Sequence, residues 1–256
     1  MVVVSRNLLQ YIPKSGSILI CGGVGSGKSV LAYGIAEQLH LYQPKRQVFV
    51  YNFPGDPGIL PTWVTPTNEE EFPEGSIVIS DEAYFSFYSK DHANELNKFM
   101  DKFTGLVRQK GILVLFVTQT LRKLTLATVS GVQVLLVKRP DPMAVKLDRA
   151  QLRKLLEEAL HAFRGLKEKD RLTATYVYAL NFEGLIEDSN KPPSFWSEKV
   201  SKAWQGVRLE RGKAEIRGVW EEALTKPVSK VKTCLQCKRF AYMPGGVCEF
   251  CGTKLE

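Results

Sequence analysis

"SILICGGVGSGKSVLAYGIAEQL", Ser17 to Leu39, joins an apolar strand pattern to a helical pattern through the eight-residue stretch Gly22 to Ser29, four of whose residues are glycine. The spacing G-x-x-x-x-G-K-[ST] is complete in Gly22, Gly27, Lys28 and Ser29, and its strand–loop–helix setting is the one the motif requires. Gly25 and Gly27 let backbone N–H groups converge on phosphate oxygens without Cβ interference, and the new helix adds the positive end of its dipole. Lys28 then neutralises β and γ phosphates, and the Ser29 hydroxyl ligates Mg²⁺. The reading is an ATP-binding loop of Gly22, Gly25, Ser26, Gly27, Lys28, Ser29 and Val30. Cys21 reads as a small buried residue that ends the strand.

Outward from this loop, apolar strand candidates recur at Ser17–Cys21, Val48–Asn52, Ile77–Ser80, Ile112–Thr118 and Val132–Val137, with helical patterns between several of them. Such alternation predicts an α/β fold, a mostly parallel central sheet flanked by helices on both faces. After the break "RPDP" one long helix is expected from about Val145 to Phe163, with Leu152, Leu155, Leu156, Leu160 and Phe163 on one face. "TATYVYALNF" reads as one further strand, and "NKPPSFW" as a loop before more helix.

A second site is needed for the metal, and "SIVISDEAY" supplies it at a strand end, where open α/β sheets bind ligands. Asp81 is suited to the Mg²⁺ shell and Glu82 to polarising the attacking water, which favours hydrolysis over simple binding. In "LVRQKGILVLFVTQT", Leu106 to Thr120, the strand is expected beside the one carrying Asp81. Its C-terminal end would place Gln119, after Thr118, near the γ-phosphate. Arg108 precedes that strand, so it reaches ATP only on a neighbouring subunit, as a finger in trans, or else caps a helix end.

The Walker A stretch, "VISDEAY", the R-x-x-G of Arg108 to Gly111 and the "TQ" of Thr118 and Gln119, in that order, resemble the HerA/FtsK superfamily of DNA-pumping ATPases. The resemblance is strongest to its short viral members, the genome-packaging ATPases, and to Zot-like proteins. It covers about Ile18 to Trp204, with "PSFWSEKVSKAW" as the closing segment. It implies a RecA-like P-loop fold, a homo-oligomeric ring, usually a hexamer, and ATP-driven movement of double-stranded DNA. A capsid or portal-vertex protein is a further partner it suggests. Two departures stand out: Zot-like proteins usually carry a membrane anchor, and the larger translocases carry accessory domains.

The C-terminal end adds C-x₂-C-x₁₀-C-x₂-C, namely Cys234, Cys237, Cys248 and Cys251. Two thiolate pairs of this spacing fit a tetrahedral Zn²⁺ in a segment too small to fold on an apolar core, with disulfides as the alternative. His40, His92 and His161 show no ligand spacing. The expected organisation is a RecA-like ATPase domain over 1–206, a basic helical or linker segment over 207–232 and a zinc ribbon over 233–256.

At 256 residues the chain can bury a full core. The formal charge of +8 permits a polyanionic partner, and it is concentrated: residues 199–256 hold 12 Lys+Arg against 6 Asp+Glu, which is +6 of the total. No stretch approaches the roughly 18 apolar residues of a membrane span, and "MVVVSRNLLQ" lacks the features of an export signal. The location expected is therefore the cytoplasm, that of the host for a viral protein, with a transient place at the virion vertex. "YFSFYSKDH", Tyr84 to His92, is either core or a DNA-facing loop. Three functional readings compete: a ring-forming DNA translocase, a P-loop ATPase that loads or remodels proteins on DNA without translocating, and a nucleotide-gated assembly protein with slow or no hydrolysis.

Overall fold

The structure is a computed structural model that describes residues 6–53, 55–68, 71–81, 107, 109–122, 124–187, 189–203, 231–233 and 240–242. The chain divides into two compact units, Met1–Trp204 and Gln205–Glu256.

In the first unit, β1 (Gly16–Cys21), β2 (Val48–Tyr51), β3 (Val64–Thr67), β4 (Ile77–Ser80), β5 (Leu113–Thr118), β6 (Val134–Val137), β7 (Thr175–Ala179) and β8 (Phe182–Ile186) form one sheet of order β3-β2-β4-β5-β1-β6-β7-β8. The first six strands are parallel, and β7 and β8 join antiparallel, so the sheet is mixed. Its central strands β4, β5 and β1 are buried at every position and mostly apolar, because both faces are covered. Ile18 and Ile20 of β1 pack with Leu31, Ile35 and Ala36 of α2 (Lys28–Tyr42), whereas Leu19 and Cys21 point to the other face and its cluster. That second cluster holds Val129 of α3 (Leu126–Gly131), Val145 of α4 (Pro142–Lys146), and Leu152, Leu156 and Ala159 of α5 (Ala150–Arg164). Among the described residues the unit also has the short helices α1 (Arg6–Leu9), α6 (Glu168–Arg171) and α7 (Glu198–Lys202).

The segment after β8 is fastened over α2. Ser194 donates its backbone N–H to the buried Glu37 carboxylate at 3.1 Å, and its hydroxyl donates to the same group. Phe195 and Trp196 set their rings against Tyr33, with centroids 6.0 and 5.8 Å away.

Two sequence expectations are corrected, and one strand was not anticipated. The single strand "TATYVYALNF" is a hairpin: β7 turns at Leu180 and Asn181 into β8, and Leu180, 95% exposed, is the tip. The single helix expected from Val145 to Phe163 is two, because Leu147 to Arg149 leave the helical path. Arg149 is extended (φ −65, ψ 148), its N–H bonds Asp148 Oδ1 at 2.8 Å, and its guanidinium is drawn to the carbonyls of Leu121 and Leu124. Edge strand β3 has no counterpart in the sequence reading. Its Pro66 lacks a backbone N–H and breaks the strand signal, which an edge position tolerates.

In the second unit, β9 (Val231–Thr233) pairs antiparallel with β10 (Phe240–Tyr242). Cys234, Cys237, Cys248 and Cys251 lie outside the described residues, as do Glu82, Tyr84 to His92, and Arg108.

Candidate active site

Parallel pairing carries the ends of β1, β5 and β4 to one edge of the sheet. Cys21 is level with Thr118, and Ser80 with Phe116, so the loop after β1, Gln119 after β5 and Asp81 after β4 leave the sheet side by side. Asp81 is 2% exposed and Gln119 is half-buried. Thr118 anchors the bend that presents Gln119: its hydroxyl donates to Thr120 O at 3.1 Å, and Thr120 N–H returns to it at 3.4 Å.

The loop requires glycine at two places for different reasons. At Gly22 (φ +150) a Cβ would stand 2.7 Å from Lys138 O, a backbone atom that cannot yield. At Gly27 (φ +86) the chain is left-handed where it enters α2, and a Cβ would meet Leu172 O at 3.4 Å. Gly23 N–H bonds Arg139 O at 2.9 Å, tying the loop to the segment after β6. Lys28, 7% exposed, donates from Nζ to Gly23 O at 2.8 Å and so lies folded across the loop.

These residues suit a phosphate group. Gly27 offers no side chain to cap α2, and no acidic residue stands in the first turn, so the leading N–H groups and the positive dipole end face the loop. Ser26 Oγ is fully buried without a hydrogen-bond partner among the described residues, a cost that an acceptor in the loop would remove.

They also suit a divalent cation. Ser29 and Tyr33 are four apart and share a face of α2. Burial raises the Tyr33 phenol well above its ordinary value, and the Asp81 carboxylate adds to the rise. A hydroxyl and a carboxylate are the hard oxygen donors that Mg²⁺ takes. Cys21 is neutral, its thiol pushed up to about 12 by burial.

On the β6 side of the loop, away from β5 and β4, lies a cleft of about 360 Å³ lined by Gly23, Val24, Arg139, Pro140, Asp141 and Phe163, among others. Arg139 there pairs with Glu168 at 2.7 Å. The sequence offered no signal for this cleft, since its walls come from the loop, the segment after β6, and α5.

Arg108 lies outside the described residues. Its neighbour Val107 is buried and accepts from Ile112 N–H at 3.0 Å, ahead of β5 and so at the start of the strand whose far end carries Gln119.

Comparison with solved structures points the same way as the topology. The genome packaging NTPase B204 of Sulfolobus turreted icosahedral virus 2, in complex with AMPPCP, superposes with a TM-score of 0.50 over 71% of this chain and 100% of its own, at 15% identity. The conjugation coupling protein TcpA of pCW3, as a monomer with ATPγS, gives a TM-score of 0.50 over 81% of this chain and 70% of its own, at 16% identity. The fold is that of the RecA-like P-loop ATPases. At this identity the likeness is one of fold. No protein-family model matches the chain, and no curated protein matches its sequence.

Proposed function

We propose that the chain is an ATP-hydrolysing, ring-forming translocase of double-stranded DNA of the HerA/FtsK type, serving as a viral genome-packaging ATPase. The observation that carries this reading is the meeting of a complete phosphate loop, Asp81 and Gln119 at adjacent strand ends of a RecA-like sheet. The described B204 structure is that of a genome packaging NTPase and TcpA is a coupling protein of conjugation, which supports DNA as the substrate moved. The +6 of residues 199–256 supports a phosphate backbone as partner. Among the described residues no helix is long and apolar enough to cross a membrane.

In this reading Lys28 leaves Gly23 O for the β and γ phosphates, and the N–H groups opening α2, around Ser29 and Val30, cradle them. Ser29 and Asp81 would hold Mg²⁺, which would supply positive charge to offset that of the phosphates. Glu82, next in the chain to Asp81, draws the proton from the attacking water, and Gln119 orients that water. The cleft beside Val24 takes the nucleoside. Arg108 completes the site of the neighbouring subunit.

The test is turnover with and without duplex DNA, alongside mass measurement with an ATP analogue and DNA present. Stimulation by DNA and a multi-subunit mass are expected. Nucleotide binding without turnover would favour the assembly-protein reading, turnover indifferent to DNA would count against translocation, and a monomer under those conditions would remove the ring.

For the second unit we propose one structural Zn²⁺ on Cys234, Cys237, Cys248 and Cys251. In support, the first cysteine pair falls in the six residues that connect the paired strands β9 and β10. Metal analysis of protein purified without chelator is expected to give about one zinc per chain, lost with the fold of the tail on chelation while the ATPase unit keeps its own. A metal-free preparation, or a mapped disulfide between any two of the four, would remove the site.

A further inference from the structure

Lys138 follows β6 directly and is fully buried. Its Nζ donates to Ala174 O at 2.6 Å, Leu172 O at 2.8 Å, Asn190 Oδ1 at 3.1 Å and Thr175 Oγ1 at 3.4 Å. Every one of these acceptors is a neutral oxygen. A buried cation without a counter-charge is costly, and it persists only where its donors are all used. Four oxygens around one nitrogen use the three protons of an ammonium and exceed the two of an amine.

The rest of the residue lines the phosphate loop. Lys138 N–H bonds Cys21 O at 2.8 Å, its own carbonyl is the atom that forbids a Cβ at Gly22, and its Cε passes 3.6 Å from the Cβ position of Gly27. Leu172 O, held by the Lys138 head, is the other wall at Gly27. Segments 34 to 52 residues further along the chain are thus gathered behind the loop by one side chain.

We propose that Lys138 is a positioning residue for the phosphate loop, its buried ammonium clamping Leu172 to Thr175 and Asn190 against the rear of Gly22 to Gly27 so that the grip on a nucleotide depends on that charge. The proposal rests on the nucleotide reading of the loop above.

The charge gives it a signature. Burial pushes Lys138 down to about 7 from an ordinary 10.5. The groups facing it are the Leu172 and Ala174 carbonyls, the Thr175 hydroxyl and the Asn190 amide, with the Ser189 hydroxyl bonded to the last two, while Arg139, next in the chain, is turned to Glu168. As pH rises through about 7 the head loses a donor and the cage loosens, so nucleotide affinity falls. Global stability moves oppositely: between the folded value of about 7 and the unfolded 10.5 the unfolded chain holds the extra proton, so this residue makes the fold more stable as pH rises. A role in stability alone would make binding follow stability upward.

Binding of a Mg²⁺-bound fluorescent ADP analogue, titrated from about pH 6 to about pH 9, tests this in the full chain. The parent is expected to weaken as pH rises. Lys138→Met is expected to bind about tenfold or more weakly at the acid end, with a curve flat except for the nucleotide's own titration. Asn190→Asp puts a carboxylate beside the ammonium, raises its pKa and should carry the parent's decline to higher pH. A folded Lys138→Met that binds like the parent with the same curve overturns the proposal. Should Lys138→Met not fold, Asn190→Asp decides, and an unmoved curve in a folded protein is the negative result. Lys28→Ala distinguishes the two levels: if it binds like the parent, or the parent binds nothing, the reading of the loop has failed and Lys138 falls with it.

Discussion

Replacing Lys28 by alanine is expected to lower ATP turnover by at least about 10² to 10³, the usual loss when one donor aimed at developing charge is removed, and to weaken nucleotide binding by a further order or more. The charge is irreplaceable from within the loop. The other residues from Gly22 to Ser29 are neutral, and nearby Lys138 spends its protons on oxygens behind the loop. The fold should survive. Lys28 opens α2, where alanine is the best helix former, and the truncation gives up its bond to Gly23 O, worth about 1 kcal/mol. Activity and stability therefore separate, and thermal unfolding beside steady-state turnover reads both. Near-parental turnover in a folded Lys28→Ala chain would place the phosphate site elsewhere.

Mixed rings give the second large effect. Arg108→Ala subunits keep the phosphate loop and Asp81 but lack the proposed finger, while Lys28→Ala subunits keep the finger but cannot hold ATP. Each is expected to be inactive alone. Mixed, some interfaces pair a sound loop with a sound finger, and partial turnover should return. A finger is worth about 10³ to 10⁵ in rate, so even a minority of repaired interfaces is measurable. Gln119→Ala mixed with Lys28→Ala should recover nothing, because Gln119 leaves the sheet beside the same subunit's loop and both defects lie in one pocket. If Arg108→Ala mixtures stay inactive although the subunits co-assemble, Arg108 is a helix-end residue. Arg122 is then the better alternative, since the Arg139 guanidinium is already committed to Glu168.

The parts of the site that could be read from the chain are those whose physics is local. The phosphate loop is contiguous, and the spacing of its glycines, lysine and serine between a strand and a helix can be read without the rest of the fold. The placement of Asp81 and Gln119 at neighbouring strand ends was legible because strands buried on both faces write themselves as apolar runs, and in a parallel sheet the end of each run marks the same edge. The errors came where local pattern is ambiguous. Alternation through Tyr176, Val177 and Tyr178 continues past Ala179 without a strong turn signal, so a hairpin read as one strand. The break at Leu147 to Arg149 lacks glycine and proline. It exists because Leu121 and Leu124, more than twenty residues earlier, present carbonyls to Arg149.

By itself, then, the sequence determined the glycine-rich strand–loop–helix, the parallel core and the edge at which Asp81 and Gln119 leave the sheet, since these follow from spacing and burial along single segments. Tertiary structure alone decided what stands behind that loop. In "VLLVKRP" nothing local sets Lys138 apart from any cation that ends a strand. It is buried because β7 returns antiparallel beside β6, bringing the Leu172 and Ala174 carbonyls and Asn190 to its head. A lysine's charge is fixed by its type, but whether that charge faces water or a cage of oxygens depends on segments distant in the chain, and no local pattern encodes their arrival.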